Sequence, residues 1–250
     1  MNRLGNDLDH AGFARVARSI DRFPEEYYET ADIVGLIYSN PLLEARLSRY
    51  PGFLSIAEKP EFQDIANDNQ FTEMRQQHKP VLDLINYPKT QAILKNPELM
   101  KQIRSVLIPN LKDLRGFLET GRSTEYDQQQ ILGRWHFDLN YTVFMIHRAK
   151  PNLSASEMQK QKKQMAAAFS KANLVATTEH EVFVKNIPKT VLAGGGVPTA
   201  DVQSVTGKWE GDGGKYIVNL PGKGEISANV EADRLMLKGE GLELAFTRED

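Results

Sequence analysis

The 250 residues are 40% apolar and 26% charged, a globular composition far from that of disordered chains and long enough for two ordinary domains. A formal charge of −2 supplies no basic field for nucleic acid, and a chain without cysteine has no disulfide, thiolate metal site or cysteine nucleophile. No apolar run approaches the ~20 residues that span a bilayer, and Met1 to His10 is polar and acidic where a signal peptide is basic and then apolar.

Ser19 to Tyr38 is rich in aromatic and aliphatic residues, among them Ile20, Phe23, Tyr27, Tyr28, Ile33 and Tyr38. Such residues at helical spacing form a core or a partner surface. Residues 8 to 120 as a whole read as a series of short helices punctuated by Pro24, Pro41, Pro51, Pro60, Pro80, Pro88, Pro97 and Pro109. In Asn40-Pro41 and Asn96-Pro97-Glu98 the asparagine can cap, and the proline at the first helical position loses no hydrogen bond. These prolines therefore read as helix starts. Behind them apolar residues recur at helical spacing: Leu42, Leu43 and Leu47, then Phe62, Ile65 and Ala66, then Leu99, Met100 and Ile103. Helices of two or three turns are not stable alone and must share a core.

The polar stretch Gly121 to Asp127 marks a boundary, placing a helical domain at 1–125 and a second domain at 126–250. Beyond it the periodicity changes. In Ile131 to Leu139, Trp135, Phe137 and Leu139 alternate with Arg134, His136 and Asp138, as in a half-buried strand. A helix pair follows over 140–172. The first helix places Val143, Phe144 and His147 on one side; the second opens at Ser154 with Glu157 completing a capping box, and Met158, Met165, Ala168, Phe169 and Ala172 form its buried stripe. Strands resume at Leu174 to Thr178 and Val182 to Lys185. After a loop at Ala193-Gly194-Gly195-Gly196 come Gln203 to Glu210, Lys215 to Leu220, Glu225 to Val230, Arg234 to Lys238 and Leu242 to Arg248. About eight strands in a meander fit a small closed barrel, filled by side chains or holding one small ligand. The expected fold class is α+β, an all-helical N-terminal domain followed by a small antiparallel barrel with an inserted helix pair.

Three resemblances attach to these segments. The Asn-Pro, Tyr-Pro and Lys-Pro steps over about 40–108 resemble the client-binding helical repeats of chaperone adaptors, which implies an apolar groove for amphipathic helices. Gly133-Arg134-Trp135, a helix pair and hairpins ending in Phe246-Thr247-Arg248 resemble a lipocalin or fatty-acid-binding barrel. That likeness implies structural closure of one end by Trp135 with Arg248 packed over it, and Gly207-Lys208-Trp209 repeats the motif. Arg248 is followed by Glu249 and Asp250, not by the arginine-x-tyrosine pair of fatty-acid-binding members, so the likeness does not extend to a carboxylate ligand. Over most of the chain, Tyr38-Ser39-Asn40-Pro41-Leu42-Leu43, Arg49-Tyr50-Pro51, Lys59-Pro60-Glu61-Phe62, Phe117 to Ser123 and Ile131 to Trp135 resemble the soluble C-terminal region of colicin V production (CvpA-type) proteins. This implies a bacterial membrane or envelope system whose membrane domain is absent from these residues.

A cavity in the barrel would be lined, by alternation, by Phe137, Phe183, Tyr216, Val218 and Leu244, with Phe144 and Phe169 from the helix pair as a lid, and with Trp135 and Trp209 as plugs. Of the five histidines, His136 beside Asp138 and His180 between Glu179 and Glu181 could in principle form a metal or acid–base cluster, but no ligand spacing supports one. No Gly-x-Ser-x-Gly elbow is present, and Gly211, Gly213 and Gly214 lack the Lys-Ser or Lys-Thr ending of a phosphate loop. The lysines of the second inserted helix could contact anionic lipid, but its methionine, alanine and phenylalanine give it only a modest apolar face, and a solvated basic face is the default reading. The expected function is therefore a non-enzymatic binding or accessory module, with no catalytic residue, metal or cofactor. Its partner would be a hydrophobic small molecule or an amphipathic peptide, and not nucleic acid. The alternatives are a lipid carrier and a protein-interaction scaffold; the location, soluble as given or membrane-associated through a missing region, is open.

Overall fold

The computed structural model describes residues 25–189, 201–239 and 242–249. His10, Ile20, Phe23 and the Ala193 to Gly196 loop of the sequence reading lie outside them, as do the side chains of Tyr27 and Tyr38. The described chain is α+β, with helices in its N-terminal half and a closed eight-stranded antiparallel barrel in its C-terminal half.

The helical half runs through α1 (Glu25–Ser39), α2 (Pro41–Leu47), α3 (Pro51–Ala57), α4 (Pro60–Ala66), α5 (Asn69–Gln76), α6 (Val81–Asn86), α7 (Pro88–Leu94), α8 (Pro97–Leu107), a 3₁₀ turn (Ile108–Asn110) and α9 (Leu111–Thr120). Pro51, Pro60, Pro88 and Pro97 each sit in the first turn of their helices, as the sequence implies. Three starts carry side-chain caps: Asn40 accepts from the Leu42 N–H at 3.0 Å, Asp68 from the Phe71 N–H at 3.0 Å and Asn96 from the Leu99 N–H at 3.1 Å. Two cores result. Ile33, Tyr50, Leu111, Leu114, Phe117 and Leu118 form one, while Ile65, Ile93 and Leu99 form a smaller one with half-buried Phe62, Phe71, Tyr87 and Ile103.

The barrel consists of β1 (Gly133–Phe137), β2 (Asn173–Ala176), β3 (Glu181–Pro188), β4 (Val202–Asp212), β5 (Lys215–Asn219), β6 (Glu225–Glu231), β7 (Arg234–Gly239) and β8 (Leu242–Arg248), with α10 (Leu139–Ala149) and α11 (Ala155–Phe169) between β1 and β2. Each strand pairs antiparallel with the next, and β8 returns to β1 with Trp135 opposite Arg248. Closure leaves no sheet edge. The register shifts between Val184 and Ile187, where Asn186 takes a left-handed φ of 57°, and this extra residue turns Ile187 inward behind Val182 and Val184.

Strand β1 stops at Phe137, two residues short of the Leu139 to which the sequence alternation runs. Asp138 caps α10 by accepting from the Tyr141 N–H, and the Thr142 hydroxyl, fully buried, accepts the Ala245 N–H of β8 that a longer β1 would have paired. The buried side of α10 is thus set by Thr142, which corrects the expected Val143, Phe144 and His147 face. The capping box at Ser154 and Glu157 forms as expected, and α11 buries Ala168 and Phe169 while Met158 and Met165 stay half-buried.

The two halves meet at a charge cluster and an aromatic. Glu58, which caps the C-terminal end of α3 and is 2% exposed, pairs with Arg134 of β1 at 3.0 Å and with Lys185 of β3. Tyr126, in the junction, packs against both the barrel core and the core around Tyr50.

Candidate functional site

The barrel interior was the expected ligand site, and the structure places most of its residues there. Trp135, Phe169, Val218, Trp209, Tyr216, Leu244 and Phe246 are buried in one apolar cluster, with Phe137 half-buried against it. Two expected positions are corrected. Phe183 lies on the outer row of β3, aligned with Val175 and Thr206, because Val182 and Val184 take the inward phase. Phe144 is 54% exposed and its ring lies 5.6 Å from that of Tyr141, so it forms no lid; Phe169 alone of the pair enters the core.

The closure motif is built from backbone as well as ring contacts. The Arg248 guanidinium lies 4.2 Å from the Trp135 ring centroid and donates to the carbonyls of Leu132 and Gln130, both at 2.6 Å. Trp135 in turn donates its indole N–H to the Ile131 carbonyl at 2.8 Å. Glycine precedes the tryptophan for want of space: a Cβ at Gly133, whose φ is +137°, would sit 2.7 Å from Arg248 Nη1, and one at Gly207 would sit 2.3 Å from the Asn219 carbonyl oxygen. Trp209 is held the same way, donating to the Thr177 carbonyl, stacked on His180 at 4.5 Å and edge-on to Tyr216 at 5.6 Å. Within this apolar interior the Tyr216 hydroxyl is buried with no hydrogen-bond partner among the described residues.

The histidines do not converge. His136 is exposed and lies 3.4 Å from the Glu249 carboxylate, while His180 is in the turn beyond the opposite end of β2, at a left-handed φ of 59°. Asp138 is engaged as a cap and faces Arg234. Among the described residues no group of three or more histidine, aspartate and glutamate side chains converges. Gly213 and Gly214 have positive φ in the β4–β5 hairpin turn, so no helix N-terminus follows them.

The helical half exposes apolar surface where it was expected to form a groove. Leu82 (65% exposed) and Ile85 share a face of α6, and Leu94 projects from the end of the adjacent α7. In the first turn of α7 Lys89 bridges Asp64 at 3.0 Å and Asp68 at 2.7 Å, and its hydrogen bond, with the cap to Phe71, holds the Asp68 carboxyl down at about 2. At the junction, Asp113 accepts from the Tyr50 and Ser123 hydroxyls and from the Thr124 N–H and hydroxyl. Burial pushes this carboxyl upward, but those hydrogen bonds outweigh it and the net direction is down. Burial, followed by the Asp113 bond, pushes the Tyr50 phenol up.

Glu58 and Asp113 escaped the sequence reading. Glu58 had a signal, since a carboxylate at a helix C-terminus opposes the helix dipole and needs cations from elsewhere. The pairing itself spans 76 residues and carries no local pattern. The geometry defines a class: a closed antiparallel barrel bearing a helix hairpin and joined to an array of proline-started helices. Comparison with family models, curated proteins and solved structures gives no match. Among the described residues no helix is long and apolar enough to cross a membrane.

Proposed function

We propose that the chain is a non-enzymatic binding or accessory module of a bacterial membrane or envelope system, as its resemblance to the soluble region of colicin V production proteins implies, and that it holds an amphipathic helix against α6 and α7. The observation that carries this reading is the pair Leu82 and Ile85, three residues apart and exposed on one helix face of α6, which buries none of its own residues. A lipocalin-like barrel then serves as a rigid platform. The test is fluorescence anisotropy of a labelled leucine-rich amphipathic peptide titrated with the intact chain. Binding that weakens at least about tenfold in Leu82→Glu/Ile85→Glu supports the reading; no binding, or binding unchanged by the substitutions, rejects it.

A second reading, a carrier of a small apolar molecule, rests on the Tyr216 hydroxyl. A buried polar group without a partner calls for a ligand atom or a water. Native mass spectrometry before and after delipidation separates the two: a bound mass lost on delipidation supports the carrier, and an apo mass from an untreated lysate preparation rejects it.

A further inference from the structure

The hairpin α10–α11 differs in charge from the rest of the molecule. Residues 139–171 hold six lysines and arginines and one carboxylate, in a chain whose net charge is −2. That carboxylate, Glu157, is turned onto the Ser154 N–H and hydroxyl, so it neutralises none of them. The six cations, Arg148, Lys150, Lys160, Lys162, Lys163 and Lys171, are all exposed, and among the described residues none is in an ion pair. Six of the first ten residues of α10 are apolar or aromatic, and of these Phe144 is exposed while Leu139, Tyr141, Val143, Met145 and Ile146 are half-buried around the buried Thr142. The exposed side carries Phe144 with His147 and Arg148 one turn on, and α11, packed on α10, presents Lys160 and Lys163 three residues apart.

We infer that this hairpin is a peripheral membrane-docking element, with Phe144 entering the headgroup region of an anionic bilayer and the six cations meeting lipid phosphates. The occupant follows from charge. A delocalised sheet of anions suits six unpaired cations spread over two helices, their connecting loop and the turn that leads on to β2, whereas a folded acidic partner would need carboxylates matched one by one. The exposed ring beside the basic side chains supplies the apolar anchor that lipid phosphate alone would not engage. The inference is independent of the peptide-docking face on α6 and α7, and the two fail separately because neither test involves the other's residues.

The test is co-flotation of the intact chain with vesicles of phosphatidylcholine, with and without phosphatidylglycerol. Binding is expected only to the mixed vesicles, falling as salt rises. Lys160→Gln/Lys163→Gln should lower the partition coefficient about 30-fold, and Phe144→Ser should lower it further than a charge-neutral surface change would. All three positions are exposed, and unchanged near-ultraviolet circular dichroism from Trp135 and Trp209 reports an intact barrel. Equal binding to both vesicle types, no binding to either, or binding indifferent to both variants would each overturn the assignment; the second outcome would leave an acidic protein as the partner to seek.

Discussion

The two halves of the molecule achieve order by different means. The barrel has a continuous interior of twenty buried residues, two of them tryptophans pinned at both ring and indole N–H, and its hydrogen-bond ladder closes on itself. The segment from α4 to α8 has only Ile65, Ile93 and Leu99 as buried residues, none of them completely, and relies on caps, first-turn prolines and the Lys89 bridges. Burial scales with how many elements share one interior. A short-helix array shares little, so its order rests on local polar chemistry and its apolar residues remain available at the surface.

The sharpest way to break this contrast is at the barrel closure. Trp135→Ala should cost about 4 kcal/mol and lower the urea midpoint followed by the fluorescence of Trp209, because the cavity left under Arg248 cannot collapse against a closed sheet. A midpoint that falls much less than this would show that the barrel is less well filled than its burial implies.

Next in size is the clamp between the halves. Glu58→Gln leaves Arg134 and Lys185 facing a neutral group at a site where the carboxylate was 2% exposed, and should cost about 3 kcal/mol. Since both tryptophans lie in the barrel, fluorescence reports that half while far-ultraviolet circular dichroism is weighted to the helices. The expected result is an earlier helical transition with the fluorescence transition little moved; a joint shift of both would mean that the clamp stabilises the barrel as well.

Asp113→Ala removes the acceptor for Tyr50, Ser123 and Thr124 together and should cost about 2 kcal/mol, read by thermal melting. The same carboxyl, with Asp68, gives the helical half an acid sensitivity. Both are depressed in the folded chain, so their contribution is complete above the ordinary carboxylate value of about 4 and is lost as pH falls through the folded values, about 2 for Asp68. Helical dichroism should therefore decline between about pH 4 and pH 2 ahead of tryptophan fluorescence, and Asp68→Asn should flatten that decline. The smallest effect expected is that of Asn96→Ala, about 1 kcal/mol, confined to α8 and visible as faster amide exchange at Leu99.

Much of the fold was legible because it is written in local patterns. Proline after asparagine marks the start of α8, the Ser154–Glu157 spacing is a capping box, and the period-two text from Lys215 onward gives β5 to β8 within a residue or so. Even the Trp135–Arg248 pairing was readable, since a cation in phase with an apolar strand face needs a π surface. The phase of β3 was not. Alternation alone cannot say which of Phe183 and Val184 is inward, and the outer row is occupied because Arg134, Lys185 and Glu58 meet on that side of the barrel.

By itself the sequence determined the helices and the meander, because capping, helical spacing and strand alternation act over a few residues. Tertiary structure decided what local rules leave open: that β8 closes on β1, that the Thr142 hydroxyl replaces a strand and so turns Phe144 to solvent, that Glu58 reaches two cations across the halves, and that Tyr216 keeps an unpaired hydroxyl inside an apolar barrel. Each of these depends on groups far apart in the chain, whose distances are fixed only when the whole interior is packed.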